Sequence, residues 1–220
     1  MSKEEIQILA KRHLSTLQNE AGSILYSSHE TLKPGDVYLL GFNPGGEGGY
    51  PLLNSIESML TKQDNAYIDE CWDNGNGAWK AGEAPLQKRI CWILKELDLN
   101  PCEVCSSNLI FFQSKAAVGI DYNLAQKCWP IHEAIINLVK PKLILVFGNS
   151  GTSPYRYLHN IFGGREDIIP AGHGDWNAKG FSTEIHSQAV YVAGLPHLSR
   201  YDPRGKAHII EWLRSKVAAY

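Results

Sequence analysis

Apolar positions recur along this chain in two rhythms. Ile6, Leu9, Leu14 and Leu17 stand at helical spacing with charges between them, which predicts an amphipathic helix over 3–19. A connector over 20–35 ends in Lys33-Pro34-Gly35, a turn that launches a continuous apolar run over 36–41. A short run of this kind, bounded by turn residues, reads as a buried strand. Leu52, Leu53, Ile56, Met59 and Leu60 predict a short helix. Pro85, whose ring presets φ for a first helical turn, opens another through Leu97 with Leu86, Ile90, Ile93, Leu94 and Leu97 on one face. A second strand is expected over Val104–Phe112, interrupted at its centre by Ser106-Ser107-Asn108. The stretch 122–139 reads as mostly helix, with Pro130 near the first turn of its main part and Pro141 ending it. Leu143–Phe147 is a third strand, followed by a helix over 152–162. The last strand, Ala189–Gly194, precedes a helix over 204–218 with Ile209, Ile210, Leu213 and Val217 inward.

Two stretches carry no period. Residues 61–84 contain Asp73-Asn74-Gly75-Asn76-Gly77, and residues 163–187 contain Ala171-Gly172-His173-Gly174-Asp175-Trp176. A loop as long as 61–84 in a compact domain is either functional or an Ω-like surface excursion. Four apolar strands alternating with helices, and no internal repeat, predict an α/β sandwich with a mainly parallel sheet. The expectation is one domain over 1–220.

Composition narrows the class. With 44% hydrophobic and 20% charged residues the chain is ordinary globular protein, not fibrous or disordered. No apolar run approaches the roughly 20 residues that span a bilayer, and the start, Met1-Ser2-Lys3-Glu4-Glu5, lacks the apolar core of a secretory signal. A cytoplasmic protein without membrane contact is expected. The formal charge of −2 excludes a globally basic coat protein for nucleic acid but not a local basic face. The five cysteines are an odd set, and only Cys102 and Cys105 have CxxC spacing. No second pair completes a four-ligand metal site, so free thiols are expected. His173 and Asp175 lack a third ligand at a recognisable spacing. Neither a metal nor another cofactor is expected, and no obligate protein partner is evident.

The candidate chemistry sits where strands end. The first strand stops in Gly41-Phe42-Asn43-Pro44-Gly45-Gly46, a turn that presents Asn43 at the carboxyl end of the sheet, where open α/β folds bind ligands. Asn43 either caps that turn or faces a ligand. Asn108, among Leu109-Ile110-Phe111-Phe112, is costly to bury unless its amide finds partners in backbone or ligand. His197 follows the last strand in Leu195-Pro196-His197-Leu198-Ser199-Arg200-Tyr201, as a satisfied loop histidine or as a functional group.

Together these motifs resemble the uracil-DNA glycosylase superfamily. Gly41-Phe42-Asn43-Pro44-Gly45 is similar to the water-activating motif of its mismatch-specific and single-strand-selective branches. Ser107-Asn108-Leu109-Ile110-Phe111-Phe112 resembles the strand with the base-reading Asn, and Pro196-His197-Leu198-Ser199-Arg200 the loop with the catalytic His. The motifs occur in family order, and the intervening elements fit across nearly the whole chain. The resemblance implies a three-layer α/β/α sandwich around a central, mainly parallel four-stranded sheet. It implies a monofunctional, metal-independent glycosylase that flips a base out of DNA and leaves an abasic site, in repair or in defence against foreign DNA.

In that reading Asn43 holds water, His197 stabilises the departing base and Asn108 recognises it. Tyr50 stacks on the base, with Phe42 as its competitor for that role or, alternatively, a core residue. Gly45 and Gly46 replace the bulky wall of the strict uracil branch, which implies tolerance of a 5-substituted or otherwise enlarged pyrimidine. Ser199, Arg200, Tyr201 and Arg204 contact DNA, with Arg200 or Tyr201 as the wedge. Lys80, Lys115, Arg156, Arg165 and Lys206 are further loop or helix-start basics. Leu198 departs from the family's usual His-Pro pair. A catalytically idle binding module and a nucleoside or nucleotide hydrolase are the alternatives.

Overall fold

The computed structural model describes residues 1–73, 75–115 and 119–220. Asn74, in the Asn/Gly-rich stretch noted above, lies outside the described residues. Six strands form one sheet: β1 (Val37–Gly41), β2 (Cys105–Asn108), β3 (Leu143–Phe147), β4 (Asp167–Pro170), β5 (Asn177–Ile185) and β6 (Gln188–Leu195). The order is β2-β1-β3-β6-β5-β4. β2, β1, β3 and β6 are mutually parallel, while β5 and β4 continue the sheet antiparallel beyond β6.

Side-chain alternation along the strands feeds two apolar clusters. Tyr38 and Leu40 of β1 join residues of α1 (Lys3–His13), α2 (Leu52–Ser58), α4 (Leu124–Val139) and α5 (Pro154–Phe162). Val37 and Leu39 join residues of α3 (Pro85–Glu96) and α6 (Ala207–Ala219). Both faces of the sheet are therefore dry, which is why the central strands read as unbroken apolar runs.

Four expectations need correction. The sheet has six strands, not four, because 163–187 contains β4 and β5. Their apolar signal is broken by Gly180, which a Cβ could not occupy without striking the Tyr191 ring, and by the half-exposed residues of edge strand β4. The second strand ends at Asn108 rather than running to Phe112. Beyond it, the Leu109 and Ile110 N–H groups still donate to the Gly41 and Phe42 carbonyls, so Asn108 sits at the rim and not mid-strand. The first helix stops at His13, with only a 3₁₀ turn over Ser15–Leu17 after it. Pro130 lies inside α4. The carbonyl it leaves without a helical donor belongs to Gln126, an exposed position where solvent access makes the loss cheap.

The stretch 61–84 is pinned by buried amides. Asn65 donates to the Pro101 carbonyl and accepts from the Tyr67 N–H, and buried Gln87 of α3 donates to the Ala66 and Glu70 carbonyls. All five cysteines are free thiols. Among the described residues no helix is long and apolar enough to cross a membrane.

Candidate functional site

Chain order places a crevice at the carboxyl ends of the parallel strands. β2 lies on one side of β1 and β3 on the other, so the β1-to-β2 and β2-to-β3 crossovers run in opposite directions along the sheet. The gap between β1 and β3 is a topological switch point, the usual ligand position in such sheets.

Beyond β1, Gly46 and Gly48 adopt positive φ of 90° and 73°, which turns the backbone sharply at little steric cost. Within this turn Asn43 is half-buried. Its Nδ2 donates to the Pro44 carbonyl and Ser114 Oγ, both at 2.8 Å, and more weakly to the Phe112 carbonyl. Two carbonyls can only accept, so they fix the nitrogen's side of the amide. Oδ1 is left as an acceptor with no donor among the described residues. The Asn43 side chain thus ties the turn to 112–114 and holds its carbonyl in a fixed orientation.

Asn108 closes β2 opposite Gly41. Its side chain lies across Gly41, where a Cβ would collide with Oδ1 and would stand 3.8 Å from the Phe147 ring. Asn108 is only 4% exposed, yet its Nδ2 has no hydrogen-bond partner among the described residues. Leaving such a donor unpaired costs about 1–3 kcal/mol. The strand end is held rigidly behind it: buried His132 donates through Nε2 to the Leu109 carbonyl and accepts from the Tyr38 hydroxyl at Nδ1. Burial depresses the His132 pKa to about 4.

His197, two residues past β6, is exposed and borders Gly148 at the end of β3. The Ser199 N–H donates to His197 Nδ1 at 3.2 Å, and Ser199 Oγ is 2.7 Å from the same nitrogen. A backbone N–H can only donate, so Nδ1 is the acceptor and the neutral ring carries its proton on Nε2. Desolvation, and secondarily the Arg200 charge, lower the His197 pKa and favour that neutral form. The loop is clamped by Arg89 of α3, whose Nη1 donates to the Leu198 and Ser199 carbonyls at 2.6 and 2.9 Å.

The expected stacking residues are placed differently. Phe42 is buried and packs on Tyr122 in the core, a correction explained by the sharp turn, which directs it inward while Asn43 faces the rim. Tyr50 is 80% exposed. Buried aromatic rings stand beside Asn108: the Phe147 and Tyr67 rings, 2% and 3% exposed, meet edge-on at 6.4 Å, and Tyr67 packs on Tyr26 and Trp72. Burial raises the pKa of both tyrosines. The Asn108 side chain, a hydrogen-bonding neighbour of the Tyr26 hydroxyl at a geometry looser than a full hydrogen bond, partly offsets the rise at Tyr26. Sequence reasoning missed Tyr26, Tyr67 and Arg89. The first two lie in aperiodic segments, and Arg89 looks like any polar position of an amphipathic helix.

Among the expected DNA contacts, Ser199 and Arg200 are exposed beside His197. Tyr201 is a correction: it is fully buried and donates to the Ala171 carbonyl, so it is no exposed wedge. Arg204 is turned onto the Asp202 carboxylate, which it holds down at about 2. Lys115 faces Glu47, while Lys80, Arg156 and Arg165 are exposed away from His197 in sequence and Lys206 lies over the Tyr201 ring. Around Gly45 a Cβ would meet nothing within 4 Å. A cavity of about 500 Å³ against α3 shares Tyr67 with the buried rings beside Asn108 but includes neither Asn43 nor His197. Among the described residues no group of three or more His, Cys, Asp or Glu side chains is gathered to hold a metal ion. No protein-family model matches the chain, and no curated protein matches it in sequence.

Proposed function

We propose that this chain is a DNA N-glycosylase of the uracil-DNA glycosylase type, with the three-layer α/β/α fold of that superfamily, acting on a flipped-out pyrimidine. The observation that carries the reading is the buried Nδ2 of Asn108 at the rim of the sheet, which meets no hydrogen-bond acceptor among the described residues. Native proteins rarely leave a buried amide donor unpaired, and a ligand acceptor offsets the cost. A carboxamide suits the polar edge of a flipped base, since it offers both a donor and an acceptor to the Watson–Crick groups.

The flanking groups supply the chemistry. The Oδ1 of Asn43 accepts a hydrogen from water and holds its oxygen toward the anomeric carbon. It does not need to be a strong base, because the C1′–N1 bond breaks early, its electron pair leaving with the base and an oxocarbenium-like sugar remaining. Water then adds to C1′. The Nε2–H of neutral His197 donates to the pyrimidine oxygen on which the negative charge develops, a contribution typically of roughly 10²–10³ in rate. The proton released by water ends on the departed base or in solvent. The products are the free base and an abasic sugar, with the strand intact. Open space at Gly45 leaves room for a substituent on the base.

The test is base release from DNAs containing uracil, mismatched thymine, 5-hydroxymethyl pyrimidines or glycosylated cytosines, with alkali revealing abasic sites. Abasic sites in at least one DNA are expected, reduced at least about 100-fold in Asn43→Ala and His197→Ala. DNA binding without release in any substrate, unaffected by either substitution, would replace this reading with an idle binding module. Cleavage of free nucleosides alone would replace it with a nucleoside hydrolase.

A further inference from the structure

The antiparallel hairpin β4–β5 adds a second feature to the same rim. Its connecting segment, 171–176, closes on itself: the Ala171 N–H donates to the Trp176 carbonyl at 2.7 Å and the Trp176 N–H to the His173 carbonyl at 3.1 Å. Gly172 and Gly174 take positive φ of 70° and 50° to allow this. The segment is fixed to the His197 loop, because the buried Tyr201 hydroxyl donates to the Ala171 carbonyl at 2.7 Å and its ring meets His173 edge-on. Asn149, just past β3, ties the start of β5 to β6 by donating to the Asn177 and Gly194 carbonyls.

This rigid segment projects an aromatic pair. The His173 and Trp176 rings stand 4.7 Å apart at 59°, and Trp176, with 40% of its surface exposed, is one of few large apolar side chains left open. Held against His173 on a pinned loop, the indole still leaves two-fifths of its surface open to a ligand. Arg200, next in sequence to the Tyr201 that anchors the segment, is exposed and makes no ion pair among the described residues, and Lys206 approaches Gly172. Asp175 is the one opposing charge in the segment. The neighbouring His197 loop exposes no apolar side chain of its own, since Leu198 and Tyr201 are both buried. It therefore lacks the inserted wedge with which duplex-opening proteins unstack a base.

We propose that His173 and Trp176 form a stacking platform for the base next to the expelled one, and that the preferred ligand is single-stranded DNA. The platform rests on the glycosylase reading for its neighbour, though not for its own binding. Unpaired bases present open π-faces that stack on aromatic side chains without sequence preference, while the backbone runs past the positive groups. In a duplex those faces are already covered. The platform thus complements a His197 loop that exposes no apolar wedge among the described residues.

The test is fluorescence anisotropy of a labelled short oligo-dT, single-stranded or paired with oligo-dA, together with steady-state base release. Stacking on one aromatic is worth roughly a tenfold change in affinity or more. Trp176→Ala should raise Kd for single-stranded oligo-dT about tenfold, and raise KM for base release similarly with kcat unchanged. Trp176→Phe should recover most of the affinity, and the duplex Kd should change less than about twofold. Equal single-strand Kd in the unsubstituted protein and Trp176→Ala overturns the platform, as does an equal loss on duplex. Base release insensitive to Trp176 overturns the platform alone. Trp176-dependent binding without base release leaves the platform standing and removes the glycosylase reading. Neither binding nor release removes both.

Discussion

Gly41 and Asn108 form the closest-coupled pair of the candidate site. Gly41 is a glycine for a tertiary reason, since its missing Cβ is the space that the Asn108 carboxamide occupies. Gly41→Ala should therefore displace Asn108 and behave as a substitution of Asn108 itself. Base release is expected to fall at least about 100-fold in Gly41→Ala and in Asn108→Ala, the loss of a preorganised donor. Stability should respond differently. Asn108→Ala removes a buried donor that the fold leaves unpaired, which offsets the lost packing, so urea unfolding should shift by less than about 1 kcal/mol. A loss well above that in Asn108→Ala would show the amide to be a structural group. At this scale the sequence named Asn43, Asn108 and His197, because a strand end followed by polar residues is visible as a string. It misassigned Phe42 and Tyr201, because the side of a turn on which a ring lies depends on dihedral angles that composition does not encode.

Among elements, α3 acts on the site without entering it. Arg89 reaches from this helix to two carbonyls of the His197 loop and lies 3.7 Å from Asp202. In the proposed mechanism it is a positioning residue, acting through the backbone of the His197 loop. Arg89→Ala should lower kcat by about 10–100-fold, since displacement of a catalytic group by about 1 Å has that effect. The Kd for DNA should stay within a few-fold, so a rise in Kd with kcat intact would assign Arg89 to DNA contact instead. Arg89→Lys should recover only part of kcat, because a single ammonium cannot reproduce the guanidinium's planar donor geometry. The helix itself was legible from its apolar spacing, and so were β1, β3, β6 and α6. β4 and β5 were not. Gly180 sits under the Tyr191 ring, and β4 lies on the sheet edge with Asp167 accepting from Tyr191, Trp212 and Lys216. Neither strand buries both faces, so neither shows the apolar run that marked the others.

For the whole molecule, the buried Tyr38–His132 pair links stability to pH. His132 has an ordinary value of 6.5 when unfolded and about 4 when folded. Between these values the unfolded chain binds the proton and the folded chain does not, so stability falls as pH drops from about 6.5 toward 4. The integrated loss approaches roughly 3 kcal/mol below pH 4. Urea midpoints at pH 7.5 and 4.5 should differ more in the unsubstituted protein than in His132→Gln, although the variant starts lower. Equal drops in both would place the acid sensitivity elsewhere. His132 stands behind the end of β2, so its protonation should loosen Asn108 before the sheet melts. The sequence by itself determined the α/β class, the parallel strand run and the three polar strand ends, because burial on two faces and a turn after each strand leave local patterns. Only the tertiary structure decided which strand ends adjoin, which aromatic rings face Asn108 and that 163–187 completes the sheet and carries Trp176 to the His197 rim. Those outcomes depend on contacts between residues far apart in the chain, and no local spacing records them.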